Sequence, residues 1–433
     1  MPTDATALVE LKQRHMIPCL YHFYRRPPVI VRGEMQYLFD AAGRRYLDAY
    51  AGVTVMNAGH CNPAITEPAI AQIRTLQHTT TIYLAEPLYR LAERLTAFIG
   101  GGLDRVFFVN SGSEANEGAL LLSRLYTGRP GFIHLNGGLH GRTALTMGLT
   151  GLEMWRTDPF PPPHLYRAPR PHCAQCELSQ TFGSCGYACV EAVRALLRQH
   201  GDIAALIAEP IQGNGGIIVP PDGYFERLRD VLHEAGALLV FDEVQCGFGR
   251  TGRRFAFQHT GIEPDILTVA KALGNGFPIA AFCTRAAIAA AYTKPGASTT
   301  GGNPVAAAAA LAVLQYHESQ RLAERAAELG GNLRSRFAAM ARGRPCIAEV
   351  RGRGLMLGLE LAVAGTPLPA LTDWVLEEMK DRGFLIGKTG RGRNVLTFMP
   401  PLVVTREDLD ALCTALDEVL RRVGPDGAVP GQG

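Results

Sequence analysis

Short apolar runs alternate with longer segments of helical period through the middle of this chain, and that alternation constrains the fold more than any other feature. Residues 105–109, 203–208, 237–241 and 266–270 have the length and composition of strands buried on both faces. Residues 114–126, 223–234 and 303–317 read as the helices between and after them. A strand covered on both sides loses the apolar–polar alternation of a half-exposed one, and such strands joined by helices make a parallel sheet. The expected fold is α/β, a large domain around a mostly parallel sheet, with its ligand at the carboxyl ends of the strands.

Past Pro304 the pattern changes. Two Ala-rich helices reach to about Met340, followed by strands at 354–361 and 395–398 and helices at 369–382 and 406–422. Residues 305–422 therefore read as a smaller α+β domain and residues 59–304 as the large one. Strand-like stretches at 29–32 and 36–39 place residues 1–58 against the small domain. Residues 423–433, rich in Gly and Pro, read as a disordered tail. A length of 433 residues suits this division at roughly 150 residues per domain.

The remaining composition narrows the partners. Forty-three Lys plus Arg against 40 Asp plus Glu leave a net charge of +3, too weak a field to predict nucleic-acid or membrane-surface binding. The Ala-rich run at 305–314 falls short of the roughly 20 residues of a membrane span. Ten Cys do not make a disulfide scaffold at this length, and the N-terminus lacks the basic-then-apolar build of a signal peptide. A cytoplasmic protein with reduced thiols is expected.

Three motifs carry chemistry. Asn110-Ser111-Gly112-Ser113-Glu114-Ala115-Asn116 follows a strand and opens a helix, where small residues, free N–H groups and the positive dipole end suit a phosphate; alone, it is equally a plain helix cap. Asp242 ends the strand at 237–241, and an acid there needs a cationic or hydrogen-bonding partner. Lys271 ends the next strand, where it either snorkels to solvent or serves as a nucleophilic amine. Together, anion cradle, acid and amine match the phosphate, ring nitrogen and aldehyde of pyridoxal phosphate.

With these motifs in place, the chain resembles the class III aminotransferases, pyridoxal-phosphate enzymes of fold type I, from about Pro18 to Arg422. NSGSEAN is followed in family order by HGRT at 140–143, AEPIQG at 208–213, FDEVQCGFGRTG at 241–252, AKALGNG at 270–276 and TTGGNP at 299–304. The resemblance implies that Lys271 forms the internal aldimine and that Asp242 keeps the pyridine nitrogen protonated. It places Val244 on the ring, Gln245 at the ring hydroxyl, and Ser111, Gly112 and Ser113 at the phosphate. Leu139, His140 and Glu209 join the cofactor contacts, and Thr299 reaches the phosphate from a neighbouring subunit. A homodimer with shared sites is implied, possibly pairing into a tetramer. The partners are an amino donor and a 2-oxo acid.

Departures from the family pattern bear on substrate. Leu139 stands where relatives stack an aromatic residue on the cofactor. Thr397 and Asn214 stand where glutamate-using relatives carry an arginine for the α-carboxylate and the glutamate that masks it, and a Thr cannot replace a bidentate guanidinium. Arg142 remains as a carboxylate anchor, with a structural ion pair as its other reading. Val53 and Tyr83 are expected to line the substrate pocket and Cys61 to lie near its entrance. Small monocarboxylate partners follow, such as alanine or a β- or ω-amino acid with pyruvate or glyoxylate, and the alanine:glyoxylate branch is the nearest likeness. A phospholyase acting on a phosphorylated amino alcohol is the alternative.

Two other readings remain. Gly247-Phe248-Gly249-Arg250-Thr251-Gly252 satisfies the dinucleotide pattern of an NAD-dependent oxidoreductase, but it lies after the strand-end acid and opens no clear helix. Cys173, Cys176, Cys185 and Cys189 form C-x2-C-x8-C-x3-C, either four reduced thiols or a structural zinc site.

Overall fold

The computed structural model describes residues 4–424 and 426–429. Its central sheet has seven strands, in the spatial order Arg105–Val109, Ala280–Thr284, Ile266–Val269, Leu238–Asp242, Ile203–Ala208, Gly131–Leu135 and Leu165–Ala168. The last five pair in parallel, whereas Ala280–Thr284 runs antiparallel to both its neighbours. All residues of Gly131–Leu135, Ile203–Ala208, Leu238–Asp242, Ile266–Val269 and Ala280–Thr284 are buried, which is why unbroken apolar runs mark several of them.

Three of these strands lie outside the sequence expectation. Gly131–Leu135 contains His134, whose burial pushes its pKa down to about 3 and keeps the ring neutral, so it sits in an apolar layer without charge. Ala280–Thr284 is Ala- and Cys-containing and takes its strand form from pairing on both sides rather than from propensity. The strand expected at 237–241 is observed as Leu238–Asp242, which makes Asp242 its last residue.

The helix Gly112–Thr127 starts where Ser111 Oγ accepts from the Glu114 N–H at 3.3 Å and ends at Gly128 in the left-handed region. Its buried face carries Ala115, Ala119, Leu120 and Leu122, and among these apolar residues it also turns Asn116 inward. The Ala-rich helix Pro304–Ser319 packs on Pro63–Thr75 and Glu86–Ile99, its short side chains permitting close approach.

A second buried cluster, built around Leu333, Phe337, Leu357, Val375, Leu396 and Leu416, joins the helices Leu322–Ala341, Pro369–Asp381 and Arg406–Arg421 to an antiparallel sheet. Its strands are ordered Ile347–Arg353, Met356–Val363, Val395–Phe398 and Gly387–Thr389. The N-terminal strands Ile30–Glu34, Tyr37–Asp40 and Arg45–Asp48 form a further sheet with Phe384–Leu385, which pairs in parallel with Arg45–Asp48. Of the tail expected to be disordered, Pro425 and residues 430–433 lie outside the described residues. Gly424 and 426–429 instead form a turn, in which Gly424 N–H donates to Ala428 O at 3.2 Å and Val429 packs on the second cluster. No helix among the described residues is long and apolar enough to cross a membrane.

The helix Leu322–Ala341 meets the turn at Gly354 backbone to backbone. A Cβ on Gly330 would lie 1.9 Å from the Gly354 carbonyl oxygen, and Gly354 itself presses on the backbone at Thr251 and Gly252. Gly330→Ala gains helix propensity of about 0.5–1 kcal/mol, but the backbone cannot yield as a side chain would, so the clash dominates. The expected outcome is a net loss of about 1–3 kcal/mol in urea unfolding.

Candidate active site

Asp242 stands at a strand end with both carboxylate oxygens engaged. Oδ2 accepts from Asn116 Nδ2 at 2.8 Å and faces His140 Nδ1 at 2.9 Å, while Oδ1 accepts from the Val244 N–H at 3.1 Å. Asn116 cannot flip. Its Nδ2 also donates to the His140 carbonyl at 2.7 Å, and its Oδ1 accepts from Thr268 Oγ1 at 2.6 Å, so the amide's donor side is held toward the acid. With Nδ1 donating to the carboxylate, the second His140 nitrogen, Nε2, is buried with no hydrogen-bond partner among the described residues.

Asp242 lines a cavity of about 420 Å³ with Lys271, the helix start at Ser111, Gly112 and Ser113, and Arg142. Lys271 opens the single turn Lys271–Leu273 directly after its strand, with φ at 46°, and so places its side chain in the cavity. Burial pulls its ammonium pKa down, and the carboxylates of Asp242 and Glu209 oppose that pull. At Gly112 a Cβ would come 3.0 Å from Val244 Cγ1, so only glycine lets Val244 approach the helix start this closely. Ser113 Oγ accepts from the Arg142 N–H at 3.1 Å, tying the HGRT loop to that helix.

Glu209 is a buried acid in the lining of the same cavity. Its two oxygens accept from the N–H groups of Leu139 and Gly213, each at 2.9 Å. Burial, then the charge of Asp242, pushes its pKa up to about 7 against the counter-pull of His140 and these N–H groups. Gln245 is packed so closely on Gly213 that a Cβ there would lie 1.9 Å from Gln245 Oε1. A second cavity of about 420 Å³ shares Leu139, Trp155, Asn214 and Lys271 with the first and is otherwise lined by residues such as Tyr21, Val53 and Arg393. Val53, a β-branched residue at φ 64°, is held in a strained conformation on this wall.

The structure does not bring every expected residue here. Tyr83 is 66% exposed and lines neither cavity of its own chain. Thr299 is also exposed, while its neighbours Ser298 and Thr300 bond to Asn110 at 3.1 and 2.8 Å. Thr397 is fully buried within the strand Val395–Phe398, its hydroxyl paired with Thr389 Oγ1 at 2.8 Å, so it has no group to offer a substrate. Cys61 is exposed and lines neither cavity. In the glycine-rich loop, Arg250 is wholly buried and donates to the carbonyls of Leu355 at 2.9 Å and Pro400 at 2.6 Å and to Asn57 Oδ1. Only the short 3₁₀ turn Ala256–His259 follows that loop, so it presents no helix end to a dinucleotide. Sequence reasoning missed Thr268, Trp155 and Arg393 as neighbours of the site. Asn116 was in view as the last residue of NSGSEAN, and its polarity on an apolar helix face was the available signal.

Residues 24–420 match the family model of the class III aminotransferases. The chain is 41% identical to alanine–glyoxylate aminotransferase 2 homolog 2, mitochondrial, of Arabidopsis thaliana, over 96% of this chain and 87% of the relative. It is 39% identical to the acetylornithine aminotransferase of Methanocaldococcus jannaschii, over 93% of this chain and 96% of the relative. Its fold superposes with a TM-score of 0.88 on a phospholyase from Arthrobacter solved in complex with phosphoethanolamine, at 33% identity over 96% of this chain and 100% of that one. The chain belongs to the class III aminotransferases and is a pyridoxal-phosphate-dependent transaminase that takes an amino donor and a keto acid.

Glu209 provides a test of the electrostatics of the cavity. An acid with a raised native pKa holds its proton in the folded state between its ordinary 4.5 and about 7, where the unfolded chain has lost it, so its contribution to stability falls as pH rises through that window. In urea unfolding of the cofactor-free protein at pH 5 and pH 8, Glu209→Gln should gain stability relative to wild type at the higher pH. A difference independent of pH would mean that Glu209 is ionised throughout.

Proposed function

We propose that this class III aminotransferase moves an amino group from a small amino acid or amine, such as alanine or a β- or ω-amino acid, to a 2-oxo acid such as pyruvate or glyoxylate in ping-pong order. The observation that carries the reading is one cavity holding Lys271 and an Asp242 engaged by three donors. The residues fit the cofactor. The helix start at Gly112 and Ser113 suits its phosphate, Asp242 its pyridine nitrogen and Lys271 its aldehyde, with Val244 and Leu139 against the ring and Gln245 at its hydroxyl. Pyridoxal phosphate, when bound, supplies an aldehyde that captures amines and a ring that takes up the electron pair freed at the substrate carbon.

The protein's own groups do the rest. Lys271, whose pKa burial draws down, would hold the cofactor's aldehyde and, once released from it, carry a proton at Nζ from one reacting atom to another. Asp242 would hold a proton at the ring nitrogen, and the Asn116–Thr268 pair and His140 fix the orientation of its carboxylate. Arg142, exposed at the cavity, anchors the substrate carboxylate. With the Thr397 hydroxyl engaged by Thr389, nothing at that position receives the α-carboxylate of glutamate.

Two exposed residues support a homodimer with shared sites: Thr299 and Tyr83 line neither cavity of their own chain, as groups offered to a neighbour's site would not. All ten cysteines are unpaired, in keeping with a reducing, cytoplasmic setting. The phospholyase alternative keeps one specific support. Arg393 lines the second cavity, lies over the Tyr21 ring at 5.7 Å and pairs with no carboxylate among the described residues, so its guanidinium is available to a phosphate.

Mixing holoenzyme with single amines and following the cofactor absorbance tests these assignments. Alanine should convert the cofactor to its amine form, and glutamate should do so about 10–100-fold more slowly. Rapid conversion by glutamate would overturn the argument from Thr397. Arg142→Ala should lower kcat/KM for carboxylate substrates by about 10–100-fold and leave that for an uncharged amine unchanged. Release of free phosphate from phosphoethanolamine would select the phospholyase reading instead.

A further inference from the structure

The four clustered cysteines are not used by the chemistry above. They occur in the segment between the strand Leu165–Ala168 and the helix Ala188–Gln199. Cys173 opens the turn Cys173–Gln175, and the carbonyl of Cys176 accepts from the Ser179 N–H at 3.0 Å. Cys185 is followed by two left-handed residues, Gly186 and Tyr187, which swing the chain round so that Cys189 enters the first turn of the helix. Folding thus gathers two pairs of thiols from opposite ends of the segment, and all four line one cavity of about 20 Å³. That volume takes a single ion or water and no organic ligand.

The same small cavity is walled by Pro169, Pro171, Phe182 and Pro221, so an ion held there would be shielded from water by apolar side chains. Four thiols around a space of one ion's size offer a donor set of sulfur alone, and thiolates select zinc over harder cations.

We propose that Cys173, Cys176, Cys185 and Cys189 bind one structural zinc ion. Each thiol gives up its proton to solvent as its sulfur joins the ion, and nothing is oxidised or reduced. No three of the sulfurs yet lie within 4.8 Å of one another, so binding draws the segment closed around the metal. Among the described residues, the nearby group His172, Glu349 and Glu360 does bring three such ligand atoms that close, and it has a cation of its own: Arg351 Nη1 donates to Glu349 at 2.6 Å and to Glu360 at 2.5 Å.

Closing the segment would brace the rim of the second cavity. Glu177, inside it, accepts from Arg391 Nη1 and from Asn136 Nδ2, each at 2.7 Å, and Gln175 donates to Glu360 at 2.7 Å. Arg391 belongs to the turn that carries Arg393.

Holoenzyme produced in zinc-supplemented medium and dialysed should retain about one zinc per chain by mass spectrometry of its metals. A mercurial that caps thiols should release that zinc to a chromophoric chelator. Protein loaded with cobalt instead should show the thiolate-to-cobalt charge-transfer band, a readout that requires no variant. Cys185→Ser should retain less than about a tenth of an equivalent and keep its cofactor absorbance. The proposal is overturned if wild type retains no stoichiometric zinc and shows no cobalt–thiolate band, if zinc persists when all four cysteines are serine, or if the native protein carries disulfides among them.

Discussion

An acid placed where a buried strand ends is the constraint around which the site is built. A carboxylate in that position is costly unless its charge is distributed over donors, and the fold provides them from separate stretches of chain: Asn116 from a helix, His140 from a loop and the Val244 N–H from the turn that follows. Thr268 on the adjacent strand in turn fixes Asn116. Because the donors come from different elements, the acid's geometry requires that the sheet, the helix on its face and the loop at its edge all be in register. A one-residue shift of Leu238–Asp242 would turn Asp242 to the other face of the sheet and take the carboxylate away from all three donors.

How much of this was legible in the sequence follows from what each residue depends on. The strands leading to Asp242 and Lys271 were readable because burial on both faces leaves a run of apolar residues. The strand Gly131–Leu135 was hidden by His134, and Leu165–Ala168 is short and carries Tyr and Arg at the edge of the sheet. Among site residues, Gly112, Ser113 and Lys271 were readable because each stands at a strand-to-helix or strand-to-turn junction, a local property. Tyr83 was expected in the substrate pocket and lies exposed outside both cavities of its own chain, because a lone aromatic residue in a loop carries no local signal of what it faces, while Thr299, expected to serve a neighbouring subunit, is exposed. The engagement of Thr397 was hidden for a different reason. Its hydroxyl partner is fixed by the pairing of Gly387–Thr389 with Val395–Phe398, and pairing register is invisible without the turn between them.

Charge recognition in this molecule is local. A net +3 over 433 residues offers no long-range field, yet cationic or N–H-rich groups stand where small anions are expected, at the start of Gly112–Thr127 and at Arg142 and Arg393. The two cavities meet at Leu139 and Lys271, so on the proposed reading the amine stands between an aliphatic wall and two guanidinium groups, Arg142 in one cavity and Arg393 in the other.

The buried Arg250 has a mechanical consequence. Its loop follows the acid of the large sheet, while two of its acceptors, the carbonyls of Leu355 and Pro400, belong to the chain that builds the second core. Burial lowers its pKa to about 9, and it stays charged near neutrality. Separating the two cores would exchange those carbonyls for water around the guanidinium, so the contact persists only while both cores pack on it. One buried cation thus acts as a rivet between the loop behind the acid and the second core, and a change in the packing of either is felt by the other.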